Sequence, residues 1–430
     1  MNVLTRGAHA AHRARVKSVR VSRFAAALAC VGAALGACAD AQPAVRKFAL
    51  TEELRIDGST FDLRFPYGFL LVNRTGQMAM ADWINFHVRL FDPTGKSVAN
   101  FGDKGAGPGE FNAVTWRGGQ RADFDGGMVG DTVWLYDRTP RRLTYVGPSG
   151  RLLRMMLAPS MQYDAAAANP LRLIGGSPVA VLSDGTLIMK SSNGRTDAAT
   201  TRAPAESYYV ALAPGAKSYK VVARVPGAAG RKVSVTDPRT RRPIEWSLPF
   251  EPRPVDAVSP NGTRIVFAVP ELVSSTTGKL TLTILGAAGD TIAVRSHPLT
   301  GVPLSRDVVD NYLRTLESEM RAVDARGVPA YDPAVTRETL SKLRAAMPER
   351  RFSVGQMRVG IDNSIWISMM APSGEDTAWY IFDDTGNALG YVVHKPKNGH
   401  LLQAASRTAM WVMEYDDDGF AQIVRYRVGR

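Results

Sequence analysis

MAMADWINFHVRLFDPTGKSV, residues 78–98, and VWLYDRTPRRLTYVGPSGRLL, residues 133–153, share one grammar. Asp82 and Gly95 are 13 positions apart, and Asp137 and Gly150 are also 13 apart. In each stretch an apolar strand ends at the aspartate and a short polar break follows. A second strand then runs to a glycine-containing turn, and a third begins beyond it. Alternation of the VxLxY kind has the period of two that belongs to a strand, not the 3.6 of a helix. A strand unit this small cannot bury both of its faces alone, so copies of it must pack on one another.

The grammar recurs with looser spacing. Asp125-Gly126, Asp184-Gly185, Asn261-Gly262 and Asp362-Asn363 read as tight turns that open strands, because Asp and Asn followed by Gly suit positive φ angles. Tryptophans sit between β-favouring neighbours in Val133-Trp134-Leu135, Ile365-Trp366-Ile367 and Met410-Trp411-Val412. Later turns fall at Gly215, Gly289 and Gly386. Units are expected near 65–115, 117–158, 175–226, 255–298, 352–397 and 400–430. Six units of about four short antiparallel strands solve the edge-strand problem by stacking radially, so the fold class is all-β, a six-bladed β-propeller over 44–430. The last unit looks one strand short. AVRKFALTEELRI, residues 44–56, is the expected strand that completes it and closes the ring.

Residues 303–349 break the pattern and predict a short helical hairpin inserted between the fourth and fifth blades. Val308, Val309, Tyr312, Leu313, Leu316, Met320 and Val323 fall at helical spacing behind a candidate cap, Ser305. Asp332 and Pro333 then mark the start of a second helix, with Val335, Leu340, Leu343 and Met347 as its packing stripe and Pro348 as its stop. Such an insertion can lie over either mouth of a central channel.

The first 38 residues stand apart from the fold. Six basic and no acidic side chains precede a 14-residue apolar run, Phe24 to Ala37, the length of a signal-peptide core and too short for a lasting transmembrane helix. Leu35-Gly36-Ala37-Cys38 resembles the lipobox, at which the leader is cut just before Cys38 and Cys38 is lipidated as the new N-terminus. Ala39-Asp40-Ala41 fits ordinary signal peptidase, which would leave Gln42 first, so both cleavages stay open. The chain is therefore expected to be exported, periplasmic or anchored in the outer membrane by its N-terminal lipid alone.

Without those six cations, 47 basic residues face 40 acidic ones, a surplus of only seven. The densest basic run, Arg239-Thr240-Arg241-Arg242, has no interleaved aromatics and reads as a solvated loop, so no nucleic-acid partner is expected. Both cysteines, Cys30 and Cys38, lie in the leader or at its edge, so the exported domain has neither a disulfide nor a thiolate site.

FGDKGAGPGEF, residues 101–111, poses the sharpest chemical question. Its glycines lack dinucleotide-loop spacing, no Lys-Ser/Thr pair follows, and NAVTWRGG beyond it is no helix, so no phosphate cradle forms. The loop reads instead as a crossover between blades, in which Glu110 accepts hydrogen bonds from turn amides and Phe111 anchors the loop between sheets. Together with Leu90-Phe91-Asp92-Pro93-Thr94-Gly95 and the terminal Ile423-Val424-Arg425-Tyr426-Arg427, this GxGPGEF loop resembles the six-bladed β-propeller proteins of bacterial envelopes. These are relatives of the NHL-repeat propellers and often lipoproteins. The resemblance implies a propeller and no particular reaction.

The chain offers little recognisable chemistry. His87, His297, His394 and His400 are too few and too scattered for a converging zinc site, and His394 and His400 flank a polar linker that predicts exposure. No Gly-x-Ser-x-Gly elbow occurs. Asp416-Asp417-Asp418 before Gly419 lacks the later ligands of a calcium loop and reads as a hairpin tip. Glu110, Asp123 and Asp125 lie near one blade junction and are the first carboxylates to inspect as a pair. No catalytic residue, cofactor or metal ligand is assigned. The favoured reading is a binding or scaffold module for a small molecule, glycan or envelope protein. The alternative is a propeller lyase or hydrolase with a carboxylate or metal site in the central channel.

Overall fold

The computed structural model describes residues 45–63, 68–116, 119–158, 173–193, 206–216, 218–227, 231–322, 331–352, 354–370, 377–395 and 400–429. The expected leader, both cleavage positions and Cys38 lie outside these residues.

The turn and strand signals build six four-stranded antiparallel sheets, each a blade. Blade one comprises Gly68–Val72, Met78–Asp82, His87–Phe91 and Ser97–Phe101, and blade two comprises Phe124–Val129, Thr132–Asp137, Arg142–Val146 and Leu152–Leu157. Blade three is Leu173–Val181, Leu187–Asn193, Ser207–Leu212 and Lys220–Val225, and blade four is Val255–Val258, Arg264–Leu272, Thr277–Gly286 and Thr291–Thr300. Blade five is Val354–Val359, Ile365–Met370, Thr377–Phe382 and Ala388–Val393. Blade six takes His400–Ser406, Ala409–Tyr415 and Ala421–Gly429 from the end of the chain and Ala49–Asp57 from its beginning. The fold is a six-bladed β-propeller.

Side-chain alternation explains why the blades stack. Each has two apolar faces, and a separate apolar cluster fills every junction. Phe111 packs with Phe124 between blades one and two, Trp134 with Tyr208 between two and three, and Tyr209 with Ile265 between three and four. Leu282 and Met357 share the next junction, Trp366 and Val424 the next, and Trp411 and Met80 the last. Burying each such side chain contributes about 1.5–3 kcal/mol. The turns at the blade tips are held by one recurring device, a side-chain oxygen at the turn's first residue. Asp92 Oδ1 accepts from Thr94 and Lys96 N at 2.9 and 3.1 Å, and Asp383 Oδ1 accepts from Thr385 and Asn387 N, both at 2.9 Å.

One expected turn is absent. Asp125-Gly126 lies inside a strand, and the turn comes later, with Gly130 at φ 58°. The glycines serve close packing instead, since a Cβ on Gly127 would stand 2.5 Å from the Trp134 ring. In the 101–111 loop Gly107 N donates to Glu110 Oε2 at 2.6 Å, and the Arg142 guanidinium donates to the carbonyls of Ala106, Gly107 and Glu110. Phe111 stacks on Phe124 at 4.2 Å. Gly102 is required by crowding as well as by its φ of 106°, because a Cβ there would meet Phe111 and the Phe86 carbonyl at 2.5 Å.

The insertion begins with Val302–Pro303 paired to Arg350–Arg351, which zips its base. Helix α1, Arg306–Arg321, is capped by Ser305, and α2, Pro333–Ala346, is capped by Asp332, whose Oδ1 accepts from Ala334 N at 2.8 Å. Their apolar stripes do not cover the blades. Leu313, Leu316, Met320 and Leu343 pack with Leu248, Val233 and Trp246 of a hairpin, Lys232–Thr236 with Pro243–Ser247, that leaves the chain between blades three and four. The Arg239–Arg242 run is the turn of that hairpin. Both insertions connect an outer strand to the next inner one, so antiparallel polarity places them at the face where the inner strands begin.

Ring closure carries the most ordered polar cluster. Ala49–Asp57 pairs with Gly429 back to Gln422 along its length, and Glu414 beside this ladder accepts from His394 Nε2 at 2.9 Å, Tyr426 Oη at 2.6 Å and Arg55 at 3.1 Å. The His394 side chain is only 7% exposed, contrary to the exposure expected from its linker, because it bridges blades five and six. Burial works to raise the Glu414 pKa, but the hydrogen bonds from His394, Tyr426 and Arg55 outweigh it and hold the carboxyl at about 2. A depressed carboxyl stabilises the fold fully above its unfolded value and loses that contribution as pH falls through its folded value. Stability should therefore fall between about pH 4.5 and 2. Glu414→Gln should remove on the order of 3 kcal/mol at neutral pH and flatten that acid limb, read by urea unfolding across this range.

Candidate functional site

The inner strand of every blade faces the axis with one edge, and the six edges enclose a cavity of about 660 Å³. Its wall takes residues from all six inner strands, among them Leu70, Gly127, Ser177, Ala257, Arg358 and Gln403. None of its lining residues comes from the helices, so among the described residues the insertion forms no part of the wall.

Two ionic clusters bind this wall together. Arg138, just past the second strand of blade two, donates to Asp125 at 2.8–3.1 Å and to Asp123 at 3.2 Å. Burial, with a smaller push from Asp123, raises the Asp125 pKa above the usual carboxylate value although Arg138 opposes it. Across the junction of blades three and four, Lys190 Nζ sits 2.6 Å from Asp256 Oδ2, and the Tyr209 hydroxyl donates to the same oxygen. Tyr209 is 2% exposed, and burial, reinforced by the Asp256 charge, pushes its phenol well above the ordinary value. Trp83 completes this end of the cavity, with Nε1 donating to the Phe124 carbonyl at 3.0 Å and Arg121 lying 5.1 Å over its ring.

Arg358 and Gln403 are arranged differently. Arg358 Nε donates to the Leu402 carbonyl at 3.2 Å, and Gln403 Oε1 accepts from Leu70 N at 3.2 Å. No carboxylate pairs with Arg358 among the described residues. The wall around it lowers the guanidinium pKa from the usual value, while the side chain stays exposed to the cavity.

The carboxylates singled out in the sequence separate here. Asp123 and Asp125 meet at Arg138, but Glu110 is folded into its own loop and takes no part. His87 Nδ1 and His297 Nε2 each donate to a backbone carbonyl, Gly102 and Gly386, at 2.9 Å. His400 begins an inner strand, and Asp416 caps the blade-six hairpin by accepting from Asp418 and Phe420 N. Among the described residues no three His, Cys, Asp or Glu side chains lie within reach of a common metal ion. Lys190, Tyr209, Asp256, Arg358 and Gln403 were not foreseen, because they are spread over 214 positions and follow no spacing rule. Register holds one usable signal: Asp82 and Asp137 pair with Gly68 and Phe124, so Phe69 and Asp125 are equivalent wall positions.

No protein-family model matches this chain, and no curated protein matches its sequence. Solved structures similar to it include a protein of Bacteroides fragilis NCTC 9343 designated as exported, with 12% identity and a TM-score of 0.40 over 89% of this chain and 95% of that one. A DUF4221 member from Bacteroides vulgatus has 9% identity and a TM-score of 0.43 over 89% and 98%. A virginiamycin B lyase from Staphylococcus aureus has 10% identity and a TM-score of 0.35 over 89% and 99%.

Asp256 ties blade three to blade four through both of its partners. Asp256→Asn should cost about 1–3 kcal/mol in urea unfolding, the range for a partly buried charged hydrogen bond. Adding Lys190→Met should then cost little more, a coupling that a double-mutant cycle reads directly.

Proposed function

We propose that this chain is an exported binding module that holds a small molecule in its axial channel and is anchored at the cell envelope by lipid on Cys38. One observation carries the binding half of the reading: about 660 Å³ at the axis is walled by all six blades, with apolar surface from Phe69, Trp83 and Met357 and polar groups not spent on the fold. That volume lies in the range of small-molecule sites. The ionised groups at the mouth are mostly paired with each other, which suits a wall built to bind. A glycan end fits the same space, whereas an envelope protein would need the loop face. The lyase or hydrolase alternative rests on Asp125, whose raised pKa suits a proton donor, although Arg138 occupies both of its oxygens. The export half of the reading rests on the basic leader, the apolar run and the lipobox.

Two experiments test the two halves. A thermal-shift screen of metabolites and oligosaccharides should give hits that raise Tm by a few degrees when ligand is at about 100 times Kd. Ser177→Trp, which fills the channel, should abolish those shifts while leaving the unliganded Tm within a few degrees. Hits that survive the plug, or that are turned over by the protein in mass spectrometry, would overturn the binding-module reading. Separately, Cys38→Ala should move the protein from the membrane to the soluble fraction, and an unchanged distribution would overturn the lipid anchor.

A further inference from the structure

Five ionised side chains line the cavity, and four of them are paired. Arg138 is shared by Asp125 and Asp123, and Lys190 answers Asp256. Arg358 is the fifth. Its Nε is spent on the Leu402 carbonyl, and its two terminal nitrogens have no partner among the described residues. A guanidinium does not shed its proton at ordinary pH, so Arg358 keeps a positive charge with no carboxylate paired to it among the described residues.

The next residue on the neighbouring strand adds a second donor. Gln403 Oε1 accepts from the Leu70 amide, and because a backbone N–H can only donate, the side-chain orientation of Gln403 is settled. Its amide nitrogen, a donor, has no partner among the described residues and belongs to the same cavity. Leu402, whose carbonyl holds Arg358, directly precedes Gln403, so the two donor sets belong to one patch of wall contributed by blades five and six. A guanidinium fork with no carboxylate paired to it among the described residues, beside an amide donor, suits an anion. Phe69, Trp83, Met128, Pro178 and Met357 add apolar surface to the same wall.

Resting on the channel-binding reading above, we infer that the ligand is an organic anion, a carboxylate or phosphate on an apolar body, held by Arg358 through its terminal nitrogens and by the Gln403 amide. A planar guanidinium matches the paired oxygens of either group.

The test uses the full-length chain purified in detergent and four probes followed by calorimetric titration: phenylacetate, phenyl phosphate, benzyl alcohol and benzylamine. Phenylacetate or phenyl phosphate, or both, should bind, and the stronger of the two identifies the anion. Binding should weaken roughly 10- to 100-fold in Arg358→Gln, as loss of a charged hydrogen-bond partner does, and several-fold in Gln403→Leu. Arg358→Lys, which keeps the charge without the fork, serves if the glutamine variant fails to fold and should recover part of the affinity. Equal binding of an anion to wild type and to the Arg358 variants would overturn the inference. So would binding of benzyl alcohol or benzylamine as tight as that of the anions, a result that leaves the channel-binding reading standing if Ser177→Trp abolishes it. Failure of all four probes to bind at millimolar concentration overturns the inference as well.

Discussion

The structure depends on one antiparallel pairing, that of Ala49–Asp57 with Ala421–Gly429. Every blade buries both faces against neighbours, so the stack has no natural end: an open ring would expose two apolar faces at once. Five junctions join blades that the chain runs through in order, and the sixth exists only because a strand from the beginning of the chain is laid beside one from its end. The Lys47 bridge to Tyr391 and the Phe48 N–H to the Tyr391 carbonyl carry the same segment onto blade five. The first described residues therefore lace two blades together, and the Glu414 cluster lies where they meet. Loss of this one strand would uncover apolar surface on Trp411, Met80 and their neighbours, well beyond the contacts of the strand itself.

The channel follows from the same geometry. Twisted sheets stacked around an axis bring their inner strands close without letting them pair, so each inner strand presents an unpaired edge to the centre. Some of those backbone groups are answered by side chains of the adjacent blade: the Leu70 amide by Gln403, the Leu402 carbonyl by Arg358. This accounts for polar residues at the centre of an otherwise apolar ring. It also explains why they are only half used. A side chain long enough to satisfy a neighbouring edge carries more donors than one backbone group can take, and the surplus faces the cavity.

Much of the architecture was legible because it is written in short-range chemistry. Asp92 with Gly95, Asp184 with Gly185, Asn261 with Gly262 and Asp383 with Gly386 mark turns whose side-chain oxygens cap their own backbone, and Ser305 and Asp332 cap their helices the same way. Asp125-Gly126 misled because the same dipeptide, buried beside Trp134, answers a packing demand instead of a turn. The hairpins at 113–122 and 232–247 lay outside the repeat grammar, and their strands are short and mixed in polarity. Of the candidate site, Asp125 alone was singled out in the sequence. Lys190 and Asp256 meet only because blades three and four pack side by side, and Arg358 lines the same cavity from blade five. What distinguishes Arg358 is that no carboxylate pairs with it among the described residues, which no local pattern encodes.

Strand polarity gives the two faces of the ring different freedoms. On the face where inner strands end, connections are tight turns locked by their own Asp, Asn and Gly residues, and Gly95 and Gly386 are pressed against side chains of the preceding blade. Length cannot change at those two turns without disturbing a junction. On the opposite face each blade hands over to the next, and these connections include the 101–111 loop, the 232–247 hairpin and the helical pair. The two insertions share an apolar cluster of their own, so they add mass without taking contacts from the ring. Trp83, Arg138 and Asp125 stand at this same end of the channel. The face that tolerates insertion is thus also the one whose side chains frame the cavity, and selectivity at the mouth can vary while the closing strand and the six junctions stay unchanged.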